Sequence, residues 1–279
     1  FFSNIRKLNP DILILAYVPT VSWNDAYWTD PLHQSMYPNI KSDWWLKDAQ
    51  GNQKSVWPNT SALNLTTGWA DYLASFVASD IMSTGLWDGV FYDEVQDSIS
   101  WVGTIDTNAD GHNDSAQEAD ARWASAYQNL LSSTRRIIGE NTVIITNGSS
   151  NPSFSPFVNG RMYENFSSVG RDLGTWSRSM RDYLSQMERV SRPDITIVNV
   201  TTGNTGLNAD YRNVRFGITS TLLGNGYFAF DFGDKNHGQL WTYDEYRAFL
   251  GEPKGQPRNA SGAHTSMNPD VWERDFAKG

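Results

Sequence analysis

Short apolar runs alternate with amphipathic stretches along this chain, and their order predicts strands followed by helices. Phe1 to Leu8 reads as the end of a helix. Pro10 then leads into Ile12-Leu13-Ile14-Leu15-Ala16-Tyr17-Val18, apolar on both faces as buried parallel strands are. A long Trp-rich connection follows, with Ala62-Leu63-Asn64-Leu65 as a short strand candidate. Trp69, Tyr72, Leu73, Phe76 and Val77 recur at the i, i+3, i+4, i+7, i+8 spacing of one helix face. Trp87 to Glu94 reads as a strand. A second helix carries Trp123, Tyr127, Leu130 and Leu131 on one face, with Arg135 and Arg136 at the end where cations suit the helix dipole. Next come strands over 142–146, ending at Asn147-Gly148, and over 158–163. A polar helix over 173–189, a strand over 195–200, a helix over 211–223 and a last strand over 227–231 complete the series. Thr242-Tyr243-Asp244-Glu245 has the capping-box spacing, and predicts a helix that Gly251 and Pro253 stop.

Seven strands in this order predict an α/β chain, specifically a (β/α)₈ TIM barrel. The length of 279 residues is close to the roughly 250 of such a domain. The barrel is expected over residues 1–251, with an irregular tail over 252–279 rich in Pro, Gly, Asn and Ser. Because the chain opens on a helix that feeds a strand, the first barrel strand is expected before Phe1; the alternative is an incomplete barrel with an open seam. Trp272 to Phe276 reads as the lead-in to a further segment, so the chain is expected to be cut at both ends.

Composition narrows the function. A formal net charge of −9 argues against nucleic acid, whose phosphates need a basic surface. No apolar run is long enough to span a bilayer. Without cysteine there is no disulfide, thiol nucleophile or cysteine metal site. The unusual part is aromatic: 12 Trp, 12 Tyr and 13 Phe. Trp69, Trp87 and Trp123 fall in periodic segments and read as core. Trp23, Trp28, Trp44, Trp45, Trp57 and Trp101 fall in loop-like stretches, where indole faces suit the apolar faces of sugar rings. A single such Trp is more often a cap on the core; the set favours a ligand surface.

Two strands end on carboxylates. Val90-Phe91-Tyr92 has strand-forming side chains and is followed by Asp93-Glu94; Arg161-Met162-Tyr163 is followed by Glu164. In a (β/α)₈ barrel the C-terminal ends of strands carry the chemistry. A strand running into a solvated acidic loop is the plainer reading, and the repetition favours the functional one. Glycoside hydrolysis needs two carboxyl groups, one protonating the leaving oxygen and one attacking the anomeric carbon or activating water. Glu164 is the expected general acid, beside apolar Met162, Tyr163 and Phe166, and Asp93 the ionised nucleophile or base. Glu94 is the rival of Asp93, since consecutive strand side chains point to opposite sides. Tyr17, Trp23, Trp28, Tyr92, Asn147, Asn199 and Asp231 are the expected substrate contacts, and Asp97 a further neighbour. His33, His112, His237 and His264 show no metal-ligand spacing and read as surface or loop residues.

Asp106-Thr107-Asn108-Ala109-Asp110-Gly111-His112-Asn113-Asp114 places oxygen ligands at positions one, three, five and nine of a calcium-type loop, with Gly111 at the turn. Position twelve is Gln117 rather than Glu, so the EF-hand motif is not complete. A structural calcium ion is expected on Asp106, Asn108, Asp110, His112, Asp114 and Glu118; an ordinary Asx-rich turn is the alternative. No cofactor is expected for catalysis.

The segments Trp87-Asp88-Gly89-Val90-Phe91-Tyr92-Asp93-Glu94, Thr146-Asn147-Gly148 and Asn159-Gly160-Arg161-Met162-Tyr163-Glu164-Asn165-Phe166 carry a resemblance over most of the chain. It resembles the glycoside-hydrolase-like TIM barrels of bacteria grouped as hypothetical glycosyl hydrolase family 15, and is more distantly similar to endo-polygalactosaminidases. The resemblance implies a glycoside hydrolase acting on a poly- or oligosaccharide, expected to be monomeric and extracellular or on the cell surface. The competing readings are a non-catalytic carbohydrate-binding barrel, and a metal-dependent hydrolase or lyase using Asp93, Glu94, Asp97 and Asp231.

Overall fold

Residues 1–24, 26–166, 175–260 and 271–279 are described in the computed structural model of the protein. His264 and the expected helix start at Leu173 lie outside the described residues. The chain divides into two compact units, Phe1–Val158 and Asn159–Gly279.

In the first unit, helix α1 (Phe2–Leu8) leads to strand β1 (Leu15–Pro19). The strand starts three residues later than the apolar run. Before it, the Ile14 amide donates to the Asp88 carboxylate at 2.7 Å, and Arg6 pairs with the same oxygen. A side chain thus takes the bond that a ladder would have made. The strand also alternates, with Ala16 and Val18 buried and Tyr17 exposed, rather than being apolar on both faces. The strand expected over 62–65 is instead half of a small antiparallel pair, β2 (Ser22–Trp23) with β3 (Ser61–Ala62). Between them lies α2 (Pro31–Met36), begun by Pro at its first position and capped by Asp30. Helix α3 (Trp69–Phe76) buries Trp69, Leu73 and Phe76, the face its spacing predicts.

Strand β4 (Gly89–Val95) lies between β1 and β5 (Val143–Gly148), parallel to both. Gly89 permits this approach: a Cβ there would sit 2.0 Å from the Val143 carbonyl oxygen. The β4–β5 register shifts between Tyr92 and Val95, a bulge that re-aims the side chains at the strand end. Gly148 completes it at φ +137°, where a Cβ would lie 2.0 Å from the Val95 carbonyl oxygen. Helix α4 (Ala116–Ile138) begins at a capping box: Ser115 accepts from the Glu118 amide, and Glu118 reaches back to the Ser115 amide.

In the second unit, β6 (Gly160–Tyr163), β7 (Ile197–Thr201) and β8 (Tyr227–Asp231) are parallel, with β7 between the other two. Helix α5 (Trp176–Arg189) buries Ser179, Met180, Tyr183, Gln186 and Met187, one face at helical spacing. Helix α6 (Tyr211–Leu222) buries Val214. Tyr183, Phe166, Val198 and Phe230 form the middle of this core. The helix expected from Thr242 is a single 3₁₀ turn, Asp244–Arg247. Its would-be capping carboxylate, Glu245, pairs with Arg215 at 2.6 Å, and Tyr243 is buried against Phe230 with its hydroxyl on the Asn208 carbonyl. The tail holds the antiparallel pair β9 (Arg258–Asn259) and β10 (Trp272–Glu273), and Arg274 fastens it to the carbonyls of Leu222 and Gly224.

The described residues therefore form an α/β fold with three parallel strands in each unit, not the seven in β/α order read from the sequence. Among them no helix is long and apolar enough to cross a membrane.

Candidate active site

In the first unit the chemistry gathers where β4 ends. Asp93 accepts three hydrogen bonds: Tyr17 Oη to Oδ2 at 2.6 Å, and Asn147 Nδ2 at 3.0 Å and the Glu94 amide at 2.7 Å, both to Oδ1. Tyr17 comes from β1 and Asn147 from β5, so the strands on either side fix the carboxyl group. Every partner is a donor, the pattern that suits a carboxylate. The backbone is fixed as well, since the Thr20 hydroxyl donates to the Asp93 carbonyl at 2.6 Å.

Glu94 is turned elsewhere. Its φ of +66° is left-handed, unusual for a residue with a Cβ. This conformation aims its amide at Asp93, while its carboxyl accepts from the Ser22 amide at 3.0 Å. Burial, reinforced by the charge of Asp93, pushes the Glu94 carboxyl up to about 7. A raised carboxyl value means that the folded protein holds this proton more tightly than the unfolded chain. The associated stability is present below the ordinary glutamate value of 4.5 and is lost as pH rises to about 7. The total is about 3 kcal/mol at most. We expect Glu94→Gln to melt near wild type at pH ~5 and clearly above it at pH ~8. Thermal melts across that range check this; a constant difference between the two proteins would contradict it.

An aromatic group surrounds Tyr17. Its ring lies 5.6 Å from Trp28 and 6.0 Å from Phe91, and Trp28 stacks on His33 at 4.8 Å. His33 is 5% exposed and its Nδ1 is held by Asp30, so it is a buried residue and not the surface one expected. Three other expectations are corrected. Tyr92 is fully buried with its hydroxyl on Thr134 at 2.9 Å, and so is removed from any substrate. Trp23 is buried and stacked on Tyr37, and Trp44 packs with Trp69 and Tyr72 in the core. Trp57 and Trp101 are exposed. Asp97 accepts from Asn151 at 3.3 Å.

The Asx-rich loop is closed by its own bonds. Asp106 accepts the amides of Asp110 and Gly111, and Asp110 accepts from Asn108 and the His112 amide. Asp114 takes Thr107 and Arg122, and Glu118 belongs to the cap of α4. Among the described residues no group of three or more His, Asp or Glu is placed to hold a metal ion.

In the second unit Glu164 follows β6 directly. Asn165, at φ +53°, turns the chain and is tied down by Thr201 at 2.6 Å and by Asp234 at 3.0 Å. Asn199 and Asp231 do not stand at the surface; they are 2% and 7% exposed and bonded to each other at 3.0 Å. The same Asp231 oxygen meets His237 Nδ1 at 2.8 Å, and His237 Nε2 lies 3.6 Å from Glu164 Oε1. His237 was expected to be a surface or loop residue, and it is a half-exposed loop residue that also stands between two carboxylates. Sequence reasoning missed it because its only signal is a place six residues beyond a strand-end Asp.

Comparison with known proteins bears on the fold and on the family. No curated protein matches the chain. Among solved structures, the α-galactosidase AgaA of Geobacillus stearothermophilus in complex with stachyose shares the fold. Its TM-score is 0.50 at 10% identity, over 88% of this chain and 30% of that one. The cycloalternan-degrading enzyme of Trueperella pyogenes, in complex with a covalent intermediate, gives a TM-score of 0.49 at 14% identity, over 86% of this chain and 32% of that one. An α-galactosidase of Thermus thermophilus with stachyose gives 0.45 at 14%, over 83% and 47%. The chain thus spans less than half the length of these matched chains. The model of hypothetical glycosyl hydrolase family 15 matches residues 6–279, and the chain belongs to that family.

Proposed function

We propose that the protein hydrolyses O-glycosidic bonds of an oligo- or polysaccharide, with Asp93 as nucleophile or base and Glu164 as general acid. The observation that carries this reading is the fixed carboxylate of Asp93, held at a strand end by donors from both neighbouring strands and from the next amide. Preorganisation of this kind is what a reacting carboxylate requires, because no energy is then lost reorienting it during the reaction. The half-exposed Tyr17, with Trp28 beside it, supplies an apolar face and a hydroxyl next to that carboxylate, the combination that suits a sugar ring. Glu164 stands beside a histidine able to exchange a proton with it.

The test is a panel of aryl glycosides and polysaccharides, with products identified by NMR. The panel includes α- and β-linked galactosides, glucosides and amino sugars, the last because a cationic sugar suits the −9 charge. Release of a reducing sugar from any member supports the reading, and its first-formed anomer reports retention or inversion. Binding of glycans without cleavage of any would make the protein a lectin-like barrel instead.

Calcium is a separate part of the proposal, on Asp106, Asn108, Asp110, His112, Asp114 and Glu118, and binding would exchange the bonds that Asp106, Asp110, Asp114 and Glu118 make within and beside the loop for bonds to the ion. The ion would be structural. A chelator is then expected to lower the melting temperature and added calcium to restore it, with turnover at low temperature unchanged. A melt that does not move with chelator removes calcium from the account.

A further inference from the structure

One carboxylate oxygen in the second unit takes two donors. Asp231 Oδ2 meets Asn199 Nδ2 at 3.0 Å and His237 Nδ1 at 2.8 Å, and both Asp231 and Asn199 are buried. The second contact fixes the histidine: Nδ1 carries its hydrogen toward Asp231, and Nε2 is the nitrogen whose protonation changes with pH. That nitrogen points to Glu164, 3.6 Å from Oε1, an ion-pair distance that a small side-chain rotation closes to a hydrogen bond. His237 is 46% exposed, so bulk water reaches the ring.

We propose that His237, anchored by Asp231, positions Glu164 and supplies and takes back its proton. The inference rests on Glu164 being the general acid. In the bond-breaking step Glu164 gives its proton to the glycosidic oxygen, which leaves with the electron pair of the C–O bond. The imidazolium then passes its Nε2 proton to the carboxylate. This leaves a neutral ring whose Nδ1 hydrogen still faces Asp231, and water reprotonates Nε2 at the exposed edge. In a hydrolytic return step the ring, before water has reprotonated it, takes this proton back from Glu164, and the freed carboxylate accepts the proton of the attacking water, so that Glu164 and Nε2 both end protonated as they began.

The groups facing His237 set its pH range. The hydrogen bond to Asp231 raises its proton affinity above the ordinary histidine value, burial opposes this, and the charges of Asp231, Glu164 and Asp234 add to the rise. Asp234 also accepts from Asn165. The alkaline limb of the rate is therefore expected above the ordinary histidine value of about 6.5.

Two measurements test this on the full chain. The first is an imidazole NMR titration. Only four histidines are present, and the spectrum of His237→Asn assigns the signal that disappears. The His237 midpoint is expected above the ordinary value, and lower by about one pH unit in Glu164→Gln. An unchanged midpoint in Glu164→Gln means the two groups are not coupled, and overturns the proposal whether or not a substrate is known. The second is the pH profile on an aryl glycoside cleaved by the wild type. His237→Gln is expected to lower kcat with little change in KM and to move the alkaline limb to lower pH. An unmoved limb overturns the role of His237 while leaving Glu164 as the acid. If Glu164→Gln itself cleaves poor leaving groups like wild type, the assignment of the acid falls instead. His237 lies on a half-exposed loop, so its variants are expected to fold, which circular dichroism checks.

Discussion

Asp93→Asn is expected to lower kcat/KM on any cleaved glycoside by roughly 10³-fold or more, while shifting the melting temperature little. The expectation separates charge from shape. An amide has the outline of the carboxylate and keeps one acceptor. With its oxygen in the Oδ1 place it still receives the Asn147 side chain and the Glu94 amide. The NH₂ group then faces Tyr17, whose hydroxyl can rotate to accept rather than donate. The fold loses little, but the negative charge and the lone pair that would attack carbon or activate water are lost. Asp93→Ala extends the test by leaving a small space beside Tyr17 and Asn147. If Asp93 is the nucleophile, added azide is expected to restore turnover on dinitrophenyl glycosides and to give a glycosyl azide of inverted configuration. If Asn and Ala variants both cleave at the wild-type rate, the reacting carboxylate lies elsewhere.

The elements that hold this site were legible where the sequence pattern and the packing agree. The run Gly89 to Val95 is a strand flanked on both sides, and Tyr227 to Asp231 is a strand with the bounds that its residues suggest. Two identical-looking signals diverge for tertiary reasons. Ser115-x-x-Glu118 and Thr242-x-x-Glu245 both have capping-box spacing. The first forms the box, its glutamate bonded to the amide behind it. The second does not, because Arg215 takes Glu245 and the core takes Tyr243. Spacing cannot report an arginine thirty residues away. The start of β1 escapes the pattern for a related reason: Asp88, far along the chain, holds the Ile14 amide that the apolar run assigns to a ladder.

The positions of the two candidate carboxylates at strand ends were legible in the sequence, and the residues that hold each of them were not. Asp93 and Glu164 are read from strand-ending acids, but which residues hold them depends on neighbouring strands. The same strand-end rule points to Tyr17 and Asn147, and both bond Asp93. Tyr92 is one residue from Asp93, yet alternation sends it to Thr134 on the helix side. Asn199 and Asp231 read as sugar contacts and instead form a buried pair behind His237. Aromatic abundance misleads in part, because composition does not distinguish a core indole such as Trp44 from an exposed one such as Trp101.

Glu164→Gln is expected to have an effect that depends on the leaving group, and this dependence identifies the acid. Departure of an alkoxide or a sugar hydroxyl needs a proton in the transition state, and general acid catalysis is worth roughly 10²- to 10⁴-fold. A dinitrophenolate leaves without help. The variant is therefore expected to lose about that factor on a disaccharide and nearly nothing in the cleavage of a dinitrophenyl glycoside. A structural defect would depress both substrates alike, and removal of a nucleophile would do the same, as expected for Asp93→Asn. The chain just beyond Glu164 is held by bonds of its own. Asn165 is held by Thr201 and Asp234 through its own side chain, and the Phe166 amide by the Asn199 carbonyl, and none of these bonds involves the Glu164 carboxyl. If both substrates slow by the same factor, Glu164 is not the proton donor. If neither slows, it is not part of the site.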